Sequence, residues 1–483
     1  MADLDYLIIG AGFGGIGMAI KLRQRDQQCQ LAIWEKANDL GGCWRDNHYP
    51  GAACDVPSHL YSYSFALNPN WSHKFAPYNE IHAYIKRCAH DYKIAQNIEY
   101  QREVKQAVYN ESTHEWQVTD TNGHTVTTRY LITATGQLNQ PAYPNIKGIK
   151  EFQGSMFHSA RWEHDVDLSN KTVAVIGTGA SAIQFVPEIA KQASQVHIYQ
   201  RSAPYVIPKP DRPYRKWEQK LFNLVPPLLA LSRLKTYIQF ESRFVAFRDM
   251  QFLLKPYMAF WRYVMRKHIK NPVKRQQLTP DYIIGCKRIL ISNNFYPTLN
   301  QDHVSIIDNG IKEISKDGII DNNGELRKAD VIILGTGFKA TEFLSPMHIT
   351  GKNGLTLNQA WKDGAEAYLG MCVHDFPNLF VLYGPNTNLG HNSIIYMLES
   401  QFRYVLSATH YAKKHGLPEL NVKANTQGQY NHKLQEKIKH SVWEQGCNSW
   451  YKTKSGKHTN NWPGFTLSYR WLTKYFKASD FTR

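Results

Sequence analysis

Two glycine-rich turns constrain this chain more than anything else in it. "DYLIIGAGFGGIGMAIKL" reads as strand, turn and helix. Tyr6 to Ile9 form a short apolar run, Gly10, Gly12 and Gly15 fit G-x-G-x-x-G, and Ile16, Ala19, Ile20 and Arg23 continue at helical spacing. "KTVAVIGTGASAIQFVPEIAK" repeats the design: Val173, Val175 and Ile176 in the strand, Gly177, Gly179 and Ala182 in the turn, Ile183, Val186 and Ile189 on the helix. In such a unit the first glycine permits the tight turn, the second lets a pyrophosphate approach the backbone, and the third small residue lets helix pack on strand. The helix N-terminus offers free N–H groups and positive potential to phosphate. The expected fold class is therefore α/β, with two Rossmann-like dinucleotide-binding domains.

The two units end differently. The strand "QLAIWEK" after the first turn carries Glu35, twenty residues past Gly15, followed by Lys36. An acid there suits a ribose 2′-hydroxyl and repels a 2′-phosphate, as FAD requires. The matching strand "VHIYQRS" carries Arg201, nineteen residues past Ala182, followed by Ser202. An arginine there can clamp a 2′-phosphate, which points to NADPH. Thr178 and Ser181 complete that second turn. A hydride donor beside a flavin means that electrons enter as hydride and leave through the flavin, to a disulfide, a quinone or oxygen.

The composition narrows the choice. No apolar run of about 18 residues appears, so no spanning helix is expected. The start "MADLDYLIIGAGFGGIG" lacks a basic segment, which argues against a signal peptide. Seven scattered cysteines show no C-x-x-C spacing, favouring neither a disulfide framework nor a metal site, and a cytoplasmic location fits them. Ten residues separate Cys43 from Cys54 in a loop-rich stretch, which is poor spacing for disulfide reduction. The chain is basic, at +17, and the excess concentrates between Arg212 and Arg275, where fifteen Lys or Arg face three acids. No nucleic-acid-binding module accompanies that charge.

Further motifs carry a resemblance. "FQGSMFHSARW" sets Phe152, Gly154, His158 and Trp162 in F-x-G-x-x-x-H-x-x-x-W, and "GGCWRDNHYPGAACD" fits G-G-x-W-x-x-x-x-Y-P-G-x-x-x-D. With "ATG" at 134–136, "GTGF" at 335–338 and "SWY" at 449–451 in the same order, nearly the whole chain resembles the type I Baeyer–Villiger monooxygenases of the flavin-containing monooxygenase superfamily. Two positions depart from that pattern: Glu163 follows the fingerprint tryptophan, and Arg45 stands where the family has an aromatic residue.

The resemblance implies oxygen insertion beside a ketone carbonyl to give an ester or lactone, through a flavin peroxide. It makes Asp55 the flavin-side aspartate, Arg288 the arginine that stabilises the peroxide, and Lys287 a holder of the 2′-phosphate. It places Trp450 near the nicotinamide and lines FAD with Glu35, Gly42, Trp44, Tyr61, Val104 and Gln137. It also aims the helix that begins in the stretch from Asn386 to Ile394 at the flavin. The fingerprint itself reads as a joint between the two nucleotide units.

The implied organisation is an FAD-binding part at 1–145, an NADP-binding part at 150–205, a helical insert at 206–285, a second NADP part at 286–372 and an FAD part at 373–483. The insert is aromatic and basic, with breaks expected near Pro226–Pro227 and Pro256. It is a candidate for substrate-tunnel wall and for contact with an anionic membrane. The expected partners are molecular oxygen and a hydrophobic ketone, with sulfides as further substrates; no nucleic acid and no metal are expected. The rival readings are an N- or S-oxidising flavin-containing monooxygenase, an uncoupled NADPH oxidase and a membrane-surface binding protein.

Overall fold

The computed structural model describes residues 2–248, 250–444, 451–453 and 455–482. Trp450 lies outside them. The first glycine turn opens a parallel-rich sheet. Strand Leu4–Ile9 lies between Leu31–Glu35 and Thr125–Thr133, parallel to both. Ile98–Tyr100 extends one edge, while Glu115–Asp120, Val104–Asn110 and His348–Thr350 extend the other. Leu379–Val381 adds in parallel to Thr125–Thr133, so the C-terminal part returns to this sheet.

The second turn opens a five-stranded parallel sheet with spatial order Val304–Ile307, Gln195–Tyr199, Thr172–Ile176, Val331–Leu334, Ser155–His158. Parallel strands covered on both faces need near-continuous apolar sequence. "TVAVI" and "VIIL" supply it, with Val173, Val175, Ile332 and Ile333 fully buried. This sheet gives the fingerprint a strand, and one expected bound shifts. Ser155–His158, inside the fingerprint, is an edge strand of this sheet, paired with Val331–Leu334. His348–Thr350 belongs to the first sheet although it falls within the range 286–372 expected for the NADP part.

The insert leaves and rejoins the second unit through a small ribbon, Val206–Ile207 paired with Leu290–Ile291. It is helical, at Lys216–Leu224, Pro226–Ser242, Phe244–Arg248, Leu254–His268 and Pro272–Gln277. The helical run breaks near both proline sites, between Leu224 and Pro226 and between Arg248 and Leu254, and the prolines then open the helices that follow. Pro226 and Pro227 start one, and Pro256 sits in the first turn of another, where a missing N–H costs nothing. Pro226–Ser242 is apolar on two faces. Leu229 and Phe240 turn inward, whereas Leu231, Leu234 and Ile238 stay exposed. No helix among the described residues is long and apolar enough to cross a membrane.

Candidate active site

A cavity of about 1270 Å³ runs between the two sheets and the insert, and both glycine turns open into it. Gly10 has φ +101°, and a Cβ there would lie 2.8 Å from the Ala134 carbonyl oxygen; a Cβ on Gly15 would collide with the Gly10 carbonyl. The helix Phe13–Arg25 begins at Gly12 with no side-chain cap and no acid in its first turn, so its leading N–H groups stay available. The helix Ala182–Ile189, after Gly177 and Gly179, starts equally bare.

At the end of the first unit, the Glu35 carboxylate is buried and lines the cavity. Oε2 accepts from the Ala11 N–H at 2.9 Å, and Oε1 accepts from Ala37 N–H at 3.0 Å and Arg45 Nη1 at 2.9 Å. A carboxylate offers about four acceptor positions, so one remains for a ribose hydroxyl. Arg45 was recognised in the sequence only as a departure; the structure makes it the counter-ion of Glu35. Lys36, Gly42, Trp44, Tyr61, Val104 and Gln137 all line the same space. Trp44 Nε1 donates to Tyr61 Oη at 3.1 Å, and Gln137 is held against the Tyr383 carbonyl at 3.1 Å. Asn386 differs: it does not line the cavity. Buried, it donates from its amide nitrogen to the His458 carbonyl, while Asn388 and Ile394 reach the cavity wall. The helix expected there starts at Ile394.

At the end of the second unit, Arg201, Ser202 and Lys287 converge on the cavity with Thr178 and Ser181. Lys287 Nζ donates to Ser202 Oγ at 3.0 Å and lies 4.4 Å from the Tyr282 ring centre. Burial lowers the Lys287 pKa; Asp281 opposes that shift and Arg201 adds to it. No carboxylate among the described residues pairs with Arg201 or Lys287, which is the arrangement a phosphate would complete. The donors and turns present thus fit two dinucleotides, one against Glu35 and one against Arg201.

Asp55 and Arg288 meet between these halves. Arg288 Nη2 donates to Asp55 Oδ2 at 2.8 Å, while Asp55 Oδ1 is buried without a partner. Arg288 keeps 42 % of its side-chain surface accessible and lines the cavity. Burial works against its charge, but Asp55, with weaker help from Tyr451, raises its pKa. The loop carrying Asp55 is fixed from the opposite unit. Gln184, on the helix Ala182–Ile189, accepts from Tyr49 Oη at 2.9 Å and donates to the Ala53 carbonyl at 3.0 Å. Trp162 packs against both sides of that joint, 6.4 Å from the Tyr49 ring and 5.3 Å from Phe185. His158 accepts the Ala160 N–H through Nδ1, and its Nε2 has no partner. The fingerprint residues Phe152, Gly154, His158 and Trp162 stay off the cavity wall.

A family model described as pyridine nucleotide-disulphide oxidoreductase matches residues 7–216. Thiol chemistry does not follow from it. Burial pushes the pKa of Cys54 up to about 12, the reverse of what a reactive thiolate needs, while Cys43 is a free, exposed cysteine with no second thiol placed beside it among the described residues. Cys286, beside Lys287, is disulfide-bonded, and its partner lies outside the described residues.

Full-length relatives decide the family. A Baeyer–Villiger monooxygenase of Pseudomonas aeruginosa is 44% identical over 98% of this chain and 90% of its own length. The chain belongs to the Baeyer–Villiger monooxygenase family. Another member, from Streptomyces coelicolor, is 38% identical over 98% of the chain and 91% of its own length. Among solved structures, steroid monooxygenase bound to NADP matches with a TM-score of 0.86 at 30% identity, covering 97% of each chain. OTEMO in complex with FAD and NADP matches with a TM-score of 0.90 at 28% identity, covering 98% of this chain and 97% of that one. The expected α/β fold and flavoprotein monooxygenase class agree with these Baeyer–Villiger relatives, as does the cofactor pair.

Proposed function

We propose that this Baeyer–Villiger monooxygenase inserts one oxygen atom of O2 beside the carbonyl of a hydrophobic ketone, with Arg288 and Asp55 as its catalytic pair. Bound FAD and NADPH supply the electrons and the activated oxygen. The chain supplies the field and the geometry. Arg288 puts a permanent positive charge on the cavity wall, where negative charge develops at the carbonyl oxygen under attack. Asp55 holds one arm of the guanidinium and restricts its rotamers, so the charge is placed before reaction. Gly10, Gly12 and Glu35 would bind FAD; Gly177, Thr178, Arg201, Ser202 and Lys287 would bind NADPH. Phe240, Phe247, Leu254 and Leu389 give the third wall an apolar surface that suits a ketone or a sulfide.

The observation that carries this reading is the 2.8 Å Arg288–Asp55 contact on a cavity shared by two dinucleotide turns. Arg288→Ala should retain FAD and its reduction by NADPH but lose ester formation by about a hundredfold or more. Gas chromatography of products alongside NADPH consumption measures both. Ester at the wild-type rate would remove Arg288 from the mechanism.

We also propose that the insert rests on an anionic membrane. Trp217, Leu224, Leu231, Leu234 and Ile238 expose 51–80 % of their surface within the strongly basic segment. Co-flotation with phosphatidylglycerol vesicles, reversed by salt, is expected. Equal recovery with neutral vesicles would argue for apolar adhesion alone, and no flotation would end the idea. On this reading the enzyme works in the cytoplasm, in peripheral contact with that membrane.

A further inference from the structure

The end of the insert helix Pro226–Ser242 brings an unneutralised cation to the cavity. Arg243 lines it together with Phe240, Phe247, Leu254 and Tyr257, and its guanidinium lies 3.9 Å from the Phe240 ring centre. Among the described residues no carboxylate pairs with it. The nearest acid in sequence is already engaged. Glu241 accepts from Asn392 Nδ2 at 2.6 Å, Thr466 Oγ1 at 2.8 Å and the Leu467 N–H at 3.1 Å. The Arg243 side chain is exposed, so its guanidinium can be reached by a ligand.

A second observation stands beside the first. His391 lines the same cavity, is 4 % exposed, and has no hydrogen-bond partner on either ring nitrogen. Its Nε2 is 3.8 Å from Glu241 Oε2, beyond hydrogen-bond range, and Arg243 bears on its titration. Both ring nitrogens are themselves buried, so His391 backs the wall behind Arg243 without offering an open donor. Phe75, another wall residue, has Lys74 and Lys209 Nζ at 5.9 and 5.1 Å from its ring centre. Burial lowers the Lys74 pKa, Arg212, Arg243 and Lys235 add to that shift and Asp211 alone opposes it, so this side of the chamber is net positive.

We propose that the substrate is an oxo acid whose carboxylate docks on Arg243. The planar guanidinium matches a carboxylate bidentately. The apolar residues around it would hold the chain that joins carboxylate to ketone. For the ketone end the inference rests on the Baeyer–Villiger reading above.

The test compares a medium-chain oxo acid with its methyl ester, which keeps the ketone and the chain but removes the charge. The wild type should favour the acid in kcat/KM by roughly tenfold or more, mainly through KM. Arg243→Gln should cut the acid-to-ester ratio by about the same factor, and Arg243→Lys should restore part of it. Equal kcat/KM for acid and ester in the wild type overturns the proposal, as does an unchanged ratio in Arg243→Gln. Should that variant lose FAD, the wild type still decides. A saturated fatty acid of the same length should bind the oxidised enzyme in calorimetry and compete with a neutral ketone, and its methyl ester should not. No binding by the fatty acid overturns the proposal. Ester formed from the neutral ketone reports on oxygen insertion separately, so failure of one reading is told from failure of the other.

Discussion

Arg201 and Lys287 both line the cavity, and among the described residues neither forms a salt bridge, so their charges are available to a ligand. A charge-assisted hydrogen bond to a phosphate is worth about 1.5–3 kcal/mol, or roughly ten- to a hundredfold in affinity. Arg201→Ala should therefore lower the NADPH-to-NADH ratio of kcat/KM by that factor; an unchanged ratio in steady-state assays would sink the role. Lys287→Ala should act in the same direction and also free Ser202 Oγ. The cation was legible because its position is counted along one strand from one turn. Arg45 was not. Its pairing with Glu35 depends on the loop after Gly42 folding back over the strand end, and nothing in local sequence encodes that approach. Arg45→Ala should leave Glu35 buried with one fewer donor and weaken FAD retention, measured as flavin content after dialysis. Full retention would mean that the other two donors suffice.

At the scale of elements, the fingerprint segment shows how tertiary pairing can hide a strand. Ser155–His158 has no alternating pattern because only Phe157 and His158 are buried, and its partner Val331–Leu334 lies more than 170 residues away. The sequence marked the segment by its motif; its register had to come from the sheet. The structure does give its residues work that fits the expected joint. Trp162 fills the space between Tyr49 on the loop leading to Asp55 and Phe185 on the helix Ala182–Ile189. Removing a buried tryptophan costs about 3–5 kcal/mol. Trp162→Ala should lower the thermal midpoint and, by loosening the Tyr49 loop, raise the NADPH consumed per ester formed. Gln184→Ala should cost less, about 1–3 kcal/mol for the lost buried hydrogen bonds, with the same uncoupling. A stability loss with unchanged coupling in both variants would make the joint purely structural.

For the whole molecule, the chain crosses between its two sheets several times, and the buried polar groups at those crossings set its response to acid. His158 lies at one crossover, His391 at the cavity, His458 beside Asn386 and His59 beneath the insert. Burial lowers their pKa values from 6.5, to about 4 for His59 and His158 and about 3 for His391 and His458. Each folded-state value lies below the unfolded one, so between them the unfolded chain binds more protons. Stability therefore rises with pH across that window and is lost as pH falls from about 6.5 toward 4. For His158, which is 1 % exposed, the full shift corresponds to about 3 kcal/mol, a large part of a typical folding free energy. The FAD-loaded enzyme should lose several degrees of thermal midpoint over that range. His158→Asn can still accept the Ala160 N–H but cannot take up a proton, so its midpoint should fall less steeply with acid. Parallel midpoint curves for the variant and the wild type would show that His158 does not titrate on unfolding, and the acid sensitivity would then belong to the other three.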